Sequence, residues 1–306
     1  MTLSTRRRRL VRLLILLIVL GGLAAAAMVW RLGGQLYAPN NYRVGPPPAN
    51  LGAEDVTFPS RSGATLHGWW LPGSQSQAGV VLMHGSGTDR RSMLERARFL
   101  KTAGYPVLLF DFQAQGESVG SHVTDGYLEA LDARAAVEFM RDRGVGKVGI
   151  IGFSLGAAAA VLGPDGPLPA DAMVLEALYP TIEEATADRI RLHLGAWSGW
   201  LYPLFTWQLQ PRLGIAPAAL RPIDRIAEVK TPILLIAGAE DRHTPLAESE
   251  RLYARAAEPK QLWVVPDAHH EDFYERAPDA YRQHVLDFFA GALRQQPKRV
   301  VLDRAR

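Results

Sequence analysis

Ser154 stands in Gly152-Phe153-Ser154-Leu155-Gly156, directly after the apolar run Val148 to Ile151 and before the alanine-rich stretch Ala157 to Leu162. A serine flanked by glycines two positions away, between a strand and a helix, describes a sharp turn that pushes its hydroxyl into the open. Side chains at positions 152 and 156 would crowd that turn, so both must be small. The spacing predicts a nucleophile at Ser154. A serine hydroxyl is a weak nucleophile near neutral pH, so it needs a base, and the base needs an orienting acid. Two later loops offer both. Gly238-Ala239-Glu240-Asp241 follows the apolar run Ile233 to Ala237, and Pro266-Asp267-Ala268-His269-His270 follows Gln261 to Val265. Asp241 is the expected acid, with Glu240 and Glu176 as competitors, and His269 and His270 compete as base. Together these groups can perform acyl transfer, whose oxyanion needs backbone donors. The Leu155 N–H, next to the nucleophile, is one expected donor. The other is the Ser86 N–H in His84-Gly85-Ser86-Gly87, where the glycines allow close backbone approach. No metal or organic cofactor is called for.

These loops need a frame that brings them together. Short runs rich in Val, Ile and Leu recur at Gly79 to Met83, Val107 to Phe110, Lys147 to Ile151, Ala172 to Leu175, Ile233 to Ala237 and Gln261 to Val265. Such runs suit a parallel sheet covered on both faces. Helical patterns lie between them, at Arg91 to Thr102, Tyr127 to Arg143, Leu155 to Leu162, Ala247 to Ala256 and Ala280 to Leu293. Val56 to Phe58 and Thr65 to Leu71 read as an opening antiparallel hairpin around Ser62-Gly63. The pattern predicts one doubly wound α/β domain over residues 55–293, whose catalytic loops gather at the strand C-termini. One stretch breaks the alternation. A small helical lid is expected over about 179–222, where three of the seven tryptophans (Trp197, Trp200 and Trp207) crowd together. They either line an apolar substrate subsite or pack the lid onto the sheet. His84 is expected to brace its loop, whereas His67, His122, His193 and His243 have no motif context and read as ordinary surface or packing residues.

The charge distribution limits the partners. The formal net charge is +3, but six arginines and no acid fall within residues 1–31, leaving 28 basic and 31 acidic residues elsewhere. A basic nucleic-acid surface is therefore not expected. Absence of cysteine excludes disulfides and a thiol nucleophile. Arg6 to Arg9 and Arg12 form a basic segment (1–12) ahead of Leu13 to Trp30, an uncharged apolar run of 18 residues. That run predicts a transmembrane anchor over 13–31, with the N-terminus cytoplasmic and the body exported. A signal peptide cleaved near Ala24 to Ala27 is the rival reading. Residues 32–54, with Pro46-Pro47-Pro48, read as a stiff stalk, and 294–306 as a basic tail.

The body resembles an α/β-hydrolase of the serine aminopeptidase-like or esterase-like branch, from about Asp55 to about Leu293. The resemblance rests on His84-Gly85-Ser86-Gly87, Asp111-Phe112-Gln113-Ala114-Gln115-Gly116-Glu117-Ser118, the Ser154 turn, the Asp241 loop and the closing histidines. It implies an α/β-hydrolase fold and aligns His270 with the catalytic histidine, although Asp267 and His269 replace two glycines of that motif. Gln113 replaces the arginine usual in the structural Asp111 loop. Serine at the turn separates the chain from the haloalkane dehalogenases and epoxide hydrolases. The implied activity is hydrolysis of a small or lipid-like ester or thioester through an acyl-enzyme. The alternatives are an aminopeptidase and a catalytically silent, membrane-anchored binding protein.

Overall fold

The computed structural model describes residues 5–74, 77–270 and 273–293, so the expected tail at 294–306 lies outside the described residues. In chain order the elements begin with helix α1 (Thr5–Leu36), strands β1 (Asn40–Asn41), β2 (Glu54–Pro59), β3 (Thr65–Leu71) and β4 (Ala78–Met83). Helix α2 (Leu94–Thr102), strands β5 (Val107–Phe110) and β6 (Gln115–Gly116), α3 (Glu129–Asp142), β7 (Lys147–Phe153), α4 (Leu155–Val161) and β8 (Ala172–Glu176) follow. The lid then supplies α5 (Ile182–Leu194), a 3₁₀ turn at Ala196–Leu201, α6 (Pro203–Thr206), α7 (Leu209–Leu213) and α8 (Pro222–Arg225). Strand β9 (Ile233–Gly238), α9 (Leu246–Arg255), β10 (Lys260–Val265), α10 (Phe273–Arg276) and α11 (Pro278–Ala292) complete the body.

Eight strands form one sheet in the order β10-β9-β8-β7-β4-β5-β3-β2. The β2–β3 hairpin and the β3–β5 pairing are antiparallel; β5, β4, β7, β8, β9 and β10 are mutually parallel. Strand alternation explains why the central runs are apolar throughout. In β4, Val81 and Met83 enter the core under α3, α4 and α9, while Val80 and Leu82 enter the core under α2 and α11. Each predicted strand forms within two residues of its expected ends. The parallel registers bring the C-termini of β7, β8, β9 and β10 to one rim, with Phe153 opposite Glu176 and Val265 opposite Gly238.

Helix α1 contains the whole apolar run and continues to Leu36, further than the expected end at 31. It is long and apolar enough to cross a membrane. The following segment departs from the expected free stalk. Tyr37 is buried, β1 pairs with β6, and the Val44 and Gly45 N–H groups donate to Glu117 Oε1, each at 3.2 Å. Two-residue pairing and side-chain acceptors leave no periodicity, which is why composition alone read this stretch as spacer.

Candidate active site

The turn at Ser154 has the geometry its sequence demanded. Ser154 takes φ 49°, a left-handed value that L-residues rarely adopt, as the chain turns from β7 into α4. Its N–H donates to Glu176 O at 2.8 Å, which ties the turn to the end of β8. Cβ atoms at either flanking glycine would collide with backbone: one at 152 would lie 2.6 Å from Gly156 carbonyl atoms, and one at 156 would strike Met83 O. Leu155 opens α4, where the first N–H groups lack intrahelical acceptors.

The other two loops are held side by side. The Ala239 and Glu240 N–H groups donate to Val265 O and Ala268 O, both at 3.0 Å, so the Asp241 and His270 loops are hydrogen-bonded to each other. His270 Nδ1 lies 2.8 Å from Asp241 Oδ2. The remaining acceptor positions of Asp241 are filled: Oδ1 takes N–H groups of His243 (2.7 Å) and Thr244 (2.9 Å), and Oδ2 takes the Thr244 hydroxyl (2.6 Å). Burial works to raise this carboxyl's pKa, but the hydrogen bonds from His270 and Thr244 outweigh it and hold the pKa below the usual carboxylate value.

The competitors are engaged elsewhere. Glu176 forms a buried bidentate pair with Arg96, at 3.1 and 2.6 Å, and accepts the Tyr281 hydroxyl. Glu240 and His269 are exposed neighbours, with His269 Nδ1 3.2 Å from Glu240 O. Of the two histidines, then, only His270 reaches Asp241 among the described hydrogen bonds.

Ser154, His270 and Ser86 line one cavity of about 170 Å³, together with Phe153, Thr88, His243 and Arg189. A neighbouring hollow of about 330 Å³ shares His243 and His270 and adds Leu192 of α5. A larger hollow of about 550 Å³, beside β1 and β6, holds none of the residues at the Ser154 turn or on the Asp241 and His270 loops. His84 braces the loop that carries Ser86: its Nε2 accepts the Phe112 N–H at 3.1 Å, so Nδ1 carries the proton donated to Gly85 O at 2.7 Å. Burial lowers the pKa of His84, in keeping with that neutral form. The Asp111 loop is structural too, and Asp111 is closed around Arg90 and the Glu117 N–H.

Three contributors escaped sequence reasoning. His243 is no ordinary surface residue; its ring stacks on that of His270, with centroids 4.7 Å apart. Its position two residues after Asp241, where its N–H caps the carboxylate, was the available signal. Thr244 carried the same signal. Arg189 had none, because it reaches the cavity from the lid, far away in sequence. The lid tryptophans also correct expectation. Trp197, Trp200 and Trp207 are 69%, 67% and 54% exposed, so they neither pack onto the sheet nor line the Ser154 cavity.

Comparison with known proteins agrees with the fold. The esterase Pf2001 of Pyrococcus furiosus superposes with a TM-score of 0.68 at 25% identity, covering 84% of this chain and all of that one. The uncharacterized protein Rv2307c of Mycobacterium tuberculosis is 36% identical over 223 residues, 71% of this chain and 72% of its own. YfhR of Salmonella typhimurium is 29% identical over 266 residues, 84% and 87% of the two chains. The sequence pattern of the alpha/beta hydrolase family matches residues 80–284, more than half of the protein, and on that match and these relatives the chain belongs to the alpha/beta hydrolase family.

Proposed function

We propose that the protein is a serine hydrolase that cleaves carboxylic esters or thioesters through an acyl-enzyme. The observation that carries this reading is the pairing of His270 Nδ1 with a fully accepting Asp241, in a loop that shares a cavity with Ser154. Asp241 holds the proton of His270 on Nδ1, leaving Nε2 as the base. Ser154 Oγ then attacks the acyl carbon while its proton passes to Nε2. The negative charge reaches the carbonyl oxygen, where the Leu155 and Ser86 N–H groups are the proposed donors. Collapse expels the alcohol or thiol, which takes the proton from His270. Water enters, gives a proton to His270 and attacks the acyl-enzyme, and the carboxylic acid leaves with Ser154 restored.

We further propose that α1 anchors the chain in a membrane with the catalytic body outside the cytoplasm. Its apolar run and the arginines before it support this. Turnover of short p-nitrophenyl esters tests the first reading: Ser154→Ala should fold and lose activity by ~10³-fold or more. Near-normal turnover by that variant refutes it. Alkaline carbonate tests the second, since a spanning helix stays in the membrane pellet and a processed or peripheral chain does not.

A further inference from the structure

The lid carries a surface that neither the core nor the cavity uses. Leu194, Trp197, Trp200, Leu204 and Trp207 are all more than 40% exposed. They follow one another at intervals of three or four residues, and the 3₁₀ turn Ala196–Leu201 stacks residues three apart on one face. Leaving three tryptophans in water is costly unless something covers them.

The lid also touches α1 at a defined height. Trp207 meets Trp30 with ring centroids 5.7 Å apart, Gln208 Nε2 donates to Val29 O at 3.2 Å, and Arg212 donates to Trp30 O. The Arg212 guanidinium lies over the Trp30 ring, 3.8 Å from its centroid. Trp30 ends the 18-residue apolar run. At ~1.5 Å per residue that run spans roughly the hydrocarbon thickness, so Trp30 falls at the far boundary, where tryptophans anchor. A lid packed against Trp30 is at the same depth.

We propose that the exposed tryptophan face of the lid lies in the headgroup–acyl boundary of the bilayer that α1 spans, and that Ser154 receives its acyl ester from that bilayer. The proposal rests on the anchor and hydrolase readings above and deepens them. Helix α5 links the two places: Arg189 lines the Ser154 cavity, Leu192 lines the adjoining hollow, and Leu194 opens the exposed face. A lipid entering beside the lid therefore meets the nucleophile without crossing bulk water.

The test uses the full chain, reconstituted in vesicles of phosphatidylcholine and phosphatidylglycerol. Because the chain has no cysteine, Leu204→Cys and Asp142→Cys each give a single spin-label site. Asp142 is exposed at the end of α3, on the rim opposite the lid. The label at 204 should collide with oxygen more than with a water-soluble nickel chelate, and the label at 142 should do the reverse. In parallel, Trp197→Ala/Trp200→Ala should keep turnover of a soluble short-chain ester within twofold and lose tenfold or more on a long-chain acyl ester held in the vesicles. A water-exposed 204 label on protein that resists carbonate overturns the lid proposal and spares the anchor. Extraction by carbonate overturns both. Equal loss on the two esters overturns it as well, since the tryptophans would then only hold the lid together. Because the labels report without turnover, an inactive wild-type chain with a lipid-facing 204 label overturns delivery to Ser154 and the hydrolase reading, while the membrane contact stands.

Discussion

Replacing Asp241 by asparagine isolates what the carboxylate does for His270. Oδ1 accepts two backbone N–H groups, which can only donate, so the asparagine carbonyl oxygen must take that position. The amide nitrogen then takes the Oδ2 position, 2.8 Å from His270 Nδ1. The Thr244 hydroxyl can turn round and accept from it, so the fold loses little. Imidazole cannot adapt without cost. Facing an N–H, Nδ1 must become the acceptor, and the ring proton moves to Nε2, where a base is needed. Wrong tautomer and lost stabilisation of the imidazolium together cost ~10³–10⁴-fold in kcat, or ~4–5.5 kcal/mol of barrier. The assay is steady-state hydrolysis of a soluble p-nitrophenyl ester, with Tm measured on the same samples. Asp241→Asn should show the kcat loss with KM and Tm nearly unchanged. Activity within tenfold of wild type in a folded variant refutes the reasoning, and a severe Glu176→Gln beside a mild Asp241→Asn would move the acid to β8.

His270→Ala should lose ~10³-fold or more in kcat, whereas His269→Ala should keep most activity, as measured on the same ester; the reverse order would shift the base by one residue. Arg189→Ala should raise KM about tenfold for an ester bearing a carboxylate or phosphate and leave a neutral ester unaffected, because a guanidinium in the cavity rewards negative charge; equal effects on both esters would deny it that role. The Glu248 carboxyl is pushed up to about 9 by burial and by Asp188, and Glu248 Oε2 and Asp188 Oδ2 are both buried without a donor among the described residues, so a proton shared between them satisfies both. The folded state keeps a proton the unfolded chain releases near 4.5, so stability is full below that pH and declines as pH rises towards about 9. Glu248→Gln has no such proton to lose, and its Tm advantage should widen by about 2–4 °C per ~1 kcal/mol as pH rises; a gap constant with pH contradicts this.

The parts legible in sequence were those governed by local chemistry. The central strands β4, β5, β7, β8 and β9 announced themselves because burial on two faces demands apolar runs rich in Val, Ile and Leu. The Ser154 turn did so because glycine alone fits at positions 152 and 156. Asp241 and His270 followed from their places after β9 and β10. Contacts between distant segments were not legible. Arg189 enters from an inserted lid with no periodic signal, and the docking of residues 37–45 depends on Glu117 and a two-residue ribbon. The tryptophans at 197, 200 and 207 read as core or subsite because burial is the usual fate of such residues; their exposure, and the contact of Trp207 with Trp30 from a distant segment, left no mark in the local sequence.

The central claim is that Ser154 is the nucleophile activated by His270, and fluorophosphonate labelling tests it most directly. Intact-mass measurement of the full chain should show one adduct on the wild type, mapping to the peptide that contains Ser154. Ser154→Ala should show none, and His270→Ala should label far more slowly. Labelling of Ser154→Ala at the wild-type rate, or an adduct on another serine such as Ser86, would contradict the account.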